Sequence, residues 1–129
     1  LMSIFVLKRI EQIKGRISFF KLIIDNRCEF DEFCELLKRR KEDSKLRSIF
    51  GIMESVANLN RLPETKFREL KGRPAGDNVK EYEIKKKPYR IYLFKDDAGN
   101  IIVFGSSKKL QKKDIKRLRQ IKNEYLKSK

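Results

Sequence analysis

The 129-residue chain has no histidine and no tryptophan, only two cysteines and three prolines, and few acids: 18 Asp and Glu against 33 Lys and Arg. Without histidine it lacks the side chain that titrates nearest neutrality and the commonest metal ligand. Acid–base chemistry therefore falls to Lys, Arg, Tyr, Asp, Glu, Ser or Cys. Cys28 and Cys34 lie about one and two-thirds turns apart on one expected helix, so they point in different directions and are expected as reduced, buried thiols. Reduced thiols suit the cytoplasm. The longest early apolar run, Ile4 to Leu7, falls far short of the ~18 residues of a membrane span. It also precedes its charges instead of following them as a secretory leader requires. Neither export nor a membrane anchor is expected. Asp96 and Asp97 fall in an expected turn and no other carboxylates align for a divalent ion, so no metal and no cofactor is expected.

What the chain does have is charge of one sign, +15 in net, beside 40% hydrophobic residues. The length suits one domain, and the apolar fraction suffices for a core under a heavily ionised surface. The excess is uneven. Residues 66–95 carry ten basic and four acidic side chains and residues 108–129 ten and two, whereas residues 28–65 carry seven and eight. A polyanionic partner would meet the two basic segments.

Hydrophobic spacing sketches the fold. Ile4, Leu7, Ile10 and Ile13 recur at helical spacing and favour a short helix ended by Gly15, although the stretch would also pair as a strand. Residues 17–25 (ISFFKLIID) read as a strand. Asp25 and Asn26 offer caps for a helix with Phe30, Phe33, Cys34 and Leu37 on one stripe, and Asp43 or Ser44 for a second with Leu46, Ile49, Phe50, Met53, Val56 and Ala57. After a Gly- and Pro-containing loop, three strands are expected, over 79–87, 89–95 and 100–106, the last two joined through Gly99. Asp114 then caps a C-terminal helix with Ile115, Leu118, Ile121, Tyr125 and Leu126 on one side and mostly Lys and Arg on the other. The expected class is α+β: an antiparallel sheet of about four strands, one face covered by the helical hairpin, with a C-terminal helix. Residues 1–16 read as an extension and 17–129 as a single domain.

Alternation along a strand sorts the candidate chemistry. Tyr82 and Ile84 face the helices, which leaves Glu83, Lys85 and Lys87 on the open face. In the next strand Tyr89, Ile91 and Leu93 share one parity and Arg90, Tyr92 and Phe94 the other, and parity alone does not settle which set is open. If Arg90 joins Lys85 and Lys87, Tyr92 comes with it. Cations for phosphates beside an aromatic ring for an unpaired base suit RNA. Lys108, Lys109, Lys112 and Lys113 leave the last strand next to this surface.

The order strand, helical hairpin, Phe67-Arg68-Glu69-Leu70-Lys71-Gly72, Tyr82-Glu83-Ile84, Pro88-Tyr89-Arg90-Ile91-Tyr92, Ile101-Ile102-Val103-Phe104 and Lys108-Lys109-Leu110-Gln111-Lys112 resembles the RelE/HigB superfamily of bacterial toxins, especially its phage-derived HigB-like branch. The resemblance spans roughly residues 17–126. It implies a small α+β toxin that cleaves mRNA, usually on the ribosome, and is neutralised by a cognate antitoxin, expected to be of helix-turn-helix type. By motif, Lys85 matches the basic residue of the Tyr-x-Ile-Lys strand and Arg90 the arginine of the Tyr-Arg pair. Lys108, Lys109, Gln111 and Lys112 match the loop after the last strand, and Lys71 the Leu-Lys-Gly turn. The chain departs from the pattern at Glu83, where RelE-like members have a second lysine, and at Ile115, near a C-terminal tyrosine of RelE.

RNA is cut without metal when its own 2′-OH attacks the adjacent phosphorus, given alignment, charge stabilisation and proton movement. In that chemistry Arg90 stabilises phosphate and Lys85 serves as base or charge stabiliser. Tyr92 or Tyr89 stacks on a base or relays a proton, and Gln111 reads a base. Lys71, Arg73, Lys87, Lys108, Lys109, Lys112 and Lys113 complete the expected RNA contacts. Two other classes fit the same charge: a non-catalytic RNA- or ribosome-binding protein, and an interaction module that meets an acidic protein.

Overall fold

The computed structural model describes residues 2–129. In chain order the elements are β1 (Phe5–Arg9), β2 (Phe19–Ile24), α1 (Glu29–Arg39), α2 (Asp43–Ala57), β3 (Phe67–Glu69), β4 (Glu81–Lys86), β5 (Tyr89–Asp96) and β6 (Gly99–Ser107). A single 3-10 turn, Lys108–Leu110, then leads into α3 (Gln111–Lys127). The class is α+β, but the sheet has six strands, in the order β1-β2-β6-β5-β4-β3, and it is mixed: β2 and β6 run parallel and every other pair antiparallel. The parallel pair is bridged by a long connection through α1, α2, β3, β4 and β5, as parallel neighbours require. The two further strands, β1 and β3, lie at the edges.

The expected N-terminal helix is a strand. Phe5 and Leu7 pack toward α3 while Ile4 and Val6 stay exposed, an alternation of period two that the helical spacing of the isoleucines masks. Ile10 and Ile13 lie beyond the strand and drop into the core on the other face, where the Ile10 N–H donates to the Phe19 carbonyl at 2.8 Å. Residues expected to stand outside the domain thus supply an edge strand and two core side chains.

Each helix buries part of its expected stripe: Cys34, Leu46, Phe50, Val56, Ile115 and Leu126 are only half-buried, and Ile52 joins the core unforeseen. Phe30, Phe33 and Leu37 of α1 and Ile49, Ile52, Met53 and Ala57 of α2 close one core over Ile84, Ile91, Leu93 and Ile102. Gly105 in β6 makes room for α1, since a Cβ there would lie 2.6 Å from the Phe33 ring. The caps differ from expectation. Asp25 and Asn26 take left-handed φ values of 49° and 66° in the turn after β2, and α1 starts from Cys28 with Glu29, Asp31 and Glu32 favouring its positive end. Glu42 precedes α2 in the place foreseen for Asp43 or Ser44.

The larger difference is on the sheet face expected to be open. α3 lies across it and buries Leu118, Ile121 and Tyr125 against Leu22, Phe94, Ile101, Val103 and Phe104. Asp114, expected as its cap, sits buried one turn inside the helix. Among the described residues no helix is long and apolar enough to cross a membrane, and Cys28 and Cys34 are free, half-buried thiols.

Candidate nucleic-acid interface

The register of the meander settles the parity of β5. Lys85 stands opposite Arg90, Glu83 opposite Tyr92 and Glu81 opposite Phe94, while Arg68 of β3 stands opposite Glu83. All these side chains therefore share the face that α3 crosses. Tyr92 is sealed beneath it, fully buried and tilted against Phe104 at 5.2 Å between ring centroids. Burial, with the charges of Glu83 and Asp114 adding to it, pushes its phenol far above the ordinary tyrosine range. Its hydroxyl has no partner among the described residues. Tyr89 faces the other way, buried against Phe33 of α1, and its hydroxyl accepts from Arg40 Nη1 at 3.2 Å. Neither ring is placed to stack on a base. The expectation that one of the two tyrosines serves RNA is therefore corrected: α3 closes the sheet face over Tyr92, and alternation sends Tyr89 into the α1–α2 core.

Arg90 is held by a buried carboxylate. Glu83 is fully buried and forms an ion pair with Arg90, Nε to Oε1 at 3.3 Å. Its other oxygen accepts from Arg68 Nε at 2.8 Å. Gln111, the first residue of α3, adds its side-chain N–H at 3.0 and 3.1 Å to the two oxygens. The expectation that Gln111 reads a base is thus corrected: its amide is directed inward and ties the start of α3 to the sheet. A carboxylate this deep is tolerable only with such saturation. Glu83, expected on an open face, is instead fully buried, and its role with Arg68 is what sequence reasoning missed. Their trace in the sequence is the pair of acids Glu81 and Glu83 on one parity of an otherwise basic strand.

A second network lies further along the same face. Fully buried Lys122 of α3 pairs with Glu81 and Asp77, each at 2.7 Å, and donates to the Val79 carbonyl at 2.9 Å. Arg119 Nε reaches Glu81 at 2.9 Å and its Nη2 donates to the Lys71 carbonyl at 2.6 Å. Burial alone would raise the Asp77 carboxyl, but hydrogen bonds from Lys122 and the Val79 amide, with the Lys122 charge, hold it below the ordinary aspartate range.

The remaining candidates divide between the two ends of the sheet. Lys85, Lys87, Lys108 and Lys109 gather at the end where β4 turns into β5 and β6 runs out; the Lys108 N–H donates to the Pro88 carbonyl at 2.8 Å across that end. Lys112 and Lys113 are exposed on the first turn of α3. Lys71 and Arg73 follow the far end of β3 instead, and Arg73 is turned toward Glu69 at 3.9 Å. They do not join the cluster, because β3 runs antiparallel to β4 and carries them away from Lys85.

At the gathered end, Thr65, Lys85, Lys87 and an edge of Arg90 line a depression of about 180 Å³. The Lys85 amide donates to the Lys66 carbonyl at 2.8 Å, which fixes the Thr65–Lys66 segment as its wall. Lys85, Lys87 and the Thr65 hydroxyl are its accessible polar groups, while Arg90, expected on an open face, is itself buried and paired with Glu83. No protein-family model, no curated protein sequence and no solved structure matches the chain, so these residues and their geometry carry the functional argument.

Proposed function

We propose that the chain is a translation-inhibiting toxin similar to the RelE/HigB superfamily, an endoribonuclease that cuts mRNA without metal on the ribosome, acts in the cytoplasm and is restrained by a protein antitoxin. The observation that carries this reading is the depression lined by Thr65, Lys85, Lys87 and Arg90. The order of β2, the α1–α2 hairpin, the β4–β5–β6 meander and α3 is also the order in which the motifs of the resemblance occur.

In this reading a phosphodiester sits in the depression. The ribose 2′-oxygen gives up its proton and attacks phosphorus, the bond to the 5′-oxygen of the next nucleotide breaks, that oxygen takes a proton from water, and a 2′,3′-cyclic phosphate and a free 5′-hydroxyl remain. Arg90, its direction set by Glu83, stabilises the charge that builds on the phosphate oxygens; Lys85 takes up the proton or shares that charge. Lys87, Lys108 and Lys109 dock the backbone, and Gln111 steadies Glu83. The buried tyrosines have no part in the reaction.

The test replaces Lys85 with Ala and, separately, Arg90 with Lys, which keeps a cation beside Glu83. Expression in growing cells, with mRNA integrity read by primer extension, should show cleavage reduced about 10²-fold or more in each, while melting curves show the fold retained. Undiminished cleavage in both folded variants would discard the assignment. The clamp of Glu83 on Arg90 favours one other reading, a non-catalytic RNA-binding protein, for which purified protein binds ribosomes or RNA and leaves the message whole.

A further inference from the structure

We infer that the substrate strand does not end at this depression but continues round the β4–β5 turn into a second, wider cleft on the opposite face of the sheet, a track for the backbone of single-stranded RNA. The inference rests on the RNA reading above and names where the flanking nucleotides lie. The cleft measures about 630 Å³ and runs between α2 and the end of β4. Lys45, Lys66 and Lys86 reach into it beside the hydroxyls of Ser48 and Ser55, over a floor of Ile52 and Leu62. It shares Thr65, Lys85 and Lys87 with the smaller depression, so the two are one continuous surface.

Three features point to a polyanionic strand. First, no acidic residue lines either concavity, and of the five lysines only Lys45 has a carboxylate partner among the described residues, Glu42 at 3.6 Å. Unpaired cations at this density repel one another until an anion joins them. Second, no aromatic ring among the described residues lines the track, so its contacts go to phosphate and sugar and carry no sequence preference. Third, the path bends round the end of a sheet within the width of this small domain. A duplex, with its persistence length of ~150 base pairs, does not follow such a bend, whereas a single strand does.

Gly51 supplies the means of testing this. It lies on the exposed side of α2 at the cleft wall, and a Cβ there meets nothing within 4 Å. Gly51→Glu therefore places a carboxylate in the track without disturbing packing, at a helix position where glutamate is favoured over glycine. The probes are a fluorescent 12-nucleotide oligouridylate, long enough to fill both concavities, and a trinucleotide that fills only the depression, each made with 2′-deoxy sugars so that no cleavage occurs. At 100 mM salt, Gly51→Glu should weaken 12-mer binding about tenfold or more and trinucleotide binding far less. Gly51→Gln, of equal bulk, should fall between it and the parent, and Lys66→Glu should repeat the effect of Gly51→Glu. Equal losses for the two probes, or no loss of 12-mer affinity in folded Gly51→Glu and Lys66→Glu, would overturn the track. If the parent protein binds neither probe, the track falls together with the RNA reading. If the differential losses occur but mRNA is never cut, the nuclease reading falls and the track stands.

Discussion

Within one strand, β4, charge is handled in two opposite ways. Glu81 and Glu83 are fully buried and ringed by Arg119, Lys122, Arg68 and Arg90. Lys85 and Lys86 at the other end of the strand, and Lys87 just past it, have no carboxylate partner among the described residues and line open concavities. The first group of cations are internal counter-ions, needed because the sheet face under α3 carries acids that water cannot reach. The second group has no internal use. The net charge of +15 thus overstates the importance of some basic residues and understates that of others. Whether a lysine is available to a partner depends on which acid lies within reach, not on how many lysines surround it in sequence.

The most disruptive way to probe this contrast is to remove an internal acid. Glu81→Ala leaves Lys122, itself fully buried, with Asp77 as its only carboxylate partner among the described residues and strips Arg119 of its acid. Breaking a buried pair on one side costs about 3–5 kcal/mol, which urea denaturation will read directly. A loss under about 1 kcal/mol would mean that α3 is not held by these charges. The same network sets the acid limb of stability. Because the folded Asp77 carboxyl is held below its ordinary range, it stabilises the fold above the unfolded aspartate value of about 4 and ceases to do so as pH falls through its own lower value. In Asp77→Asn that limb should flatten, with melting temperature followed from pH 6 to pH 2.

The helical hairpin, the meander and the C-terminal helix were legible in the sequence because each carries its own periodicity. Phe30, Phe33 and Leu37, or Leu118, Ile121 and Tyr125, announce a buried stripe whatever they pack against. β1 was legible only as the less favoured alternative, since Ile4, Leu7, Ile10 and Ile13 at helical spacing straddle a five-residue strand. β3 has only three residues and takes its form from pairing with β4. The candidate site was half legible. Lys85, Lys87, Lys108 and Lys109 do gather, as alternation and chain order suggest. The fate of Tyr92 and Gln111 turns on which face α3 covers, a tertiary fact that no local pattern encodes, and that of Tyr89 on the register that turns it toward α1 and α2. Glu83 is the instructive case: as an acid among lysines it reads as an exception to a basic surface, yet the fold makes it the buried anchor of Arg90, the arginine proposed to meet phosphate.

Of intermediate size is the effect of reversing charge at the open end. Lys86→Glu and Lys87→Glu remove no internal pair among the described residues, so stability should change by no more than about 0.5 kcal/mol, and relief of like-charge repulsion favours a gain. Binding of single-stranded RNA should weaken by about 10- to 100-fold, and the slope of log affinity against log salt should shrink by about 0.7 for each phosphate no longer neutralised. Lys71→Ala, at the far end of the sheet, should leave that slope close to the parent's. Equal slopes in Lys71→Ala and Lys87→Glu would erase the distinction between the two ends.

The smallest effect sharpens the contrast most, because it concerns a residue that chemistry would favour and burial forbids. Tyr92 lies beneath α3 with its hydroxyl unpartnered among the described residues. Tyr92→Phe removes a polar atom that burial penalises and leaves the ring against Phe104 in place, so stability near neutrality should hold or rise by about 1 kcal/mol. In alkali the advantage of the variant should grow. The folded phenol stays neutral well above the ordinary tyrosine value of about 10, so the parent's stability is full below that value and declines as pH climbs beyond it, where the unfolded chain ionises and the folded one does not. A phenylalanine at this position cannot ionise in either state, so the variant should lose that share of the alkaline decline, seen as a widening gap in melting temperature between pH 9 and pH 11. A proton-relaying tyrosine would behave otherwise: its phenylalanine variant would cut mRNA slowly at neutral pH while folding normally. If the chain cuts mRNA as proposed, retained cleavage with a flatter alkaline limb places the chemistry wholly with the cations at the end of the sheet.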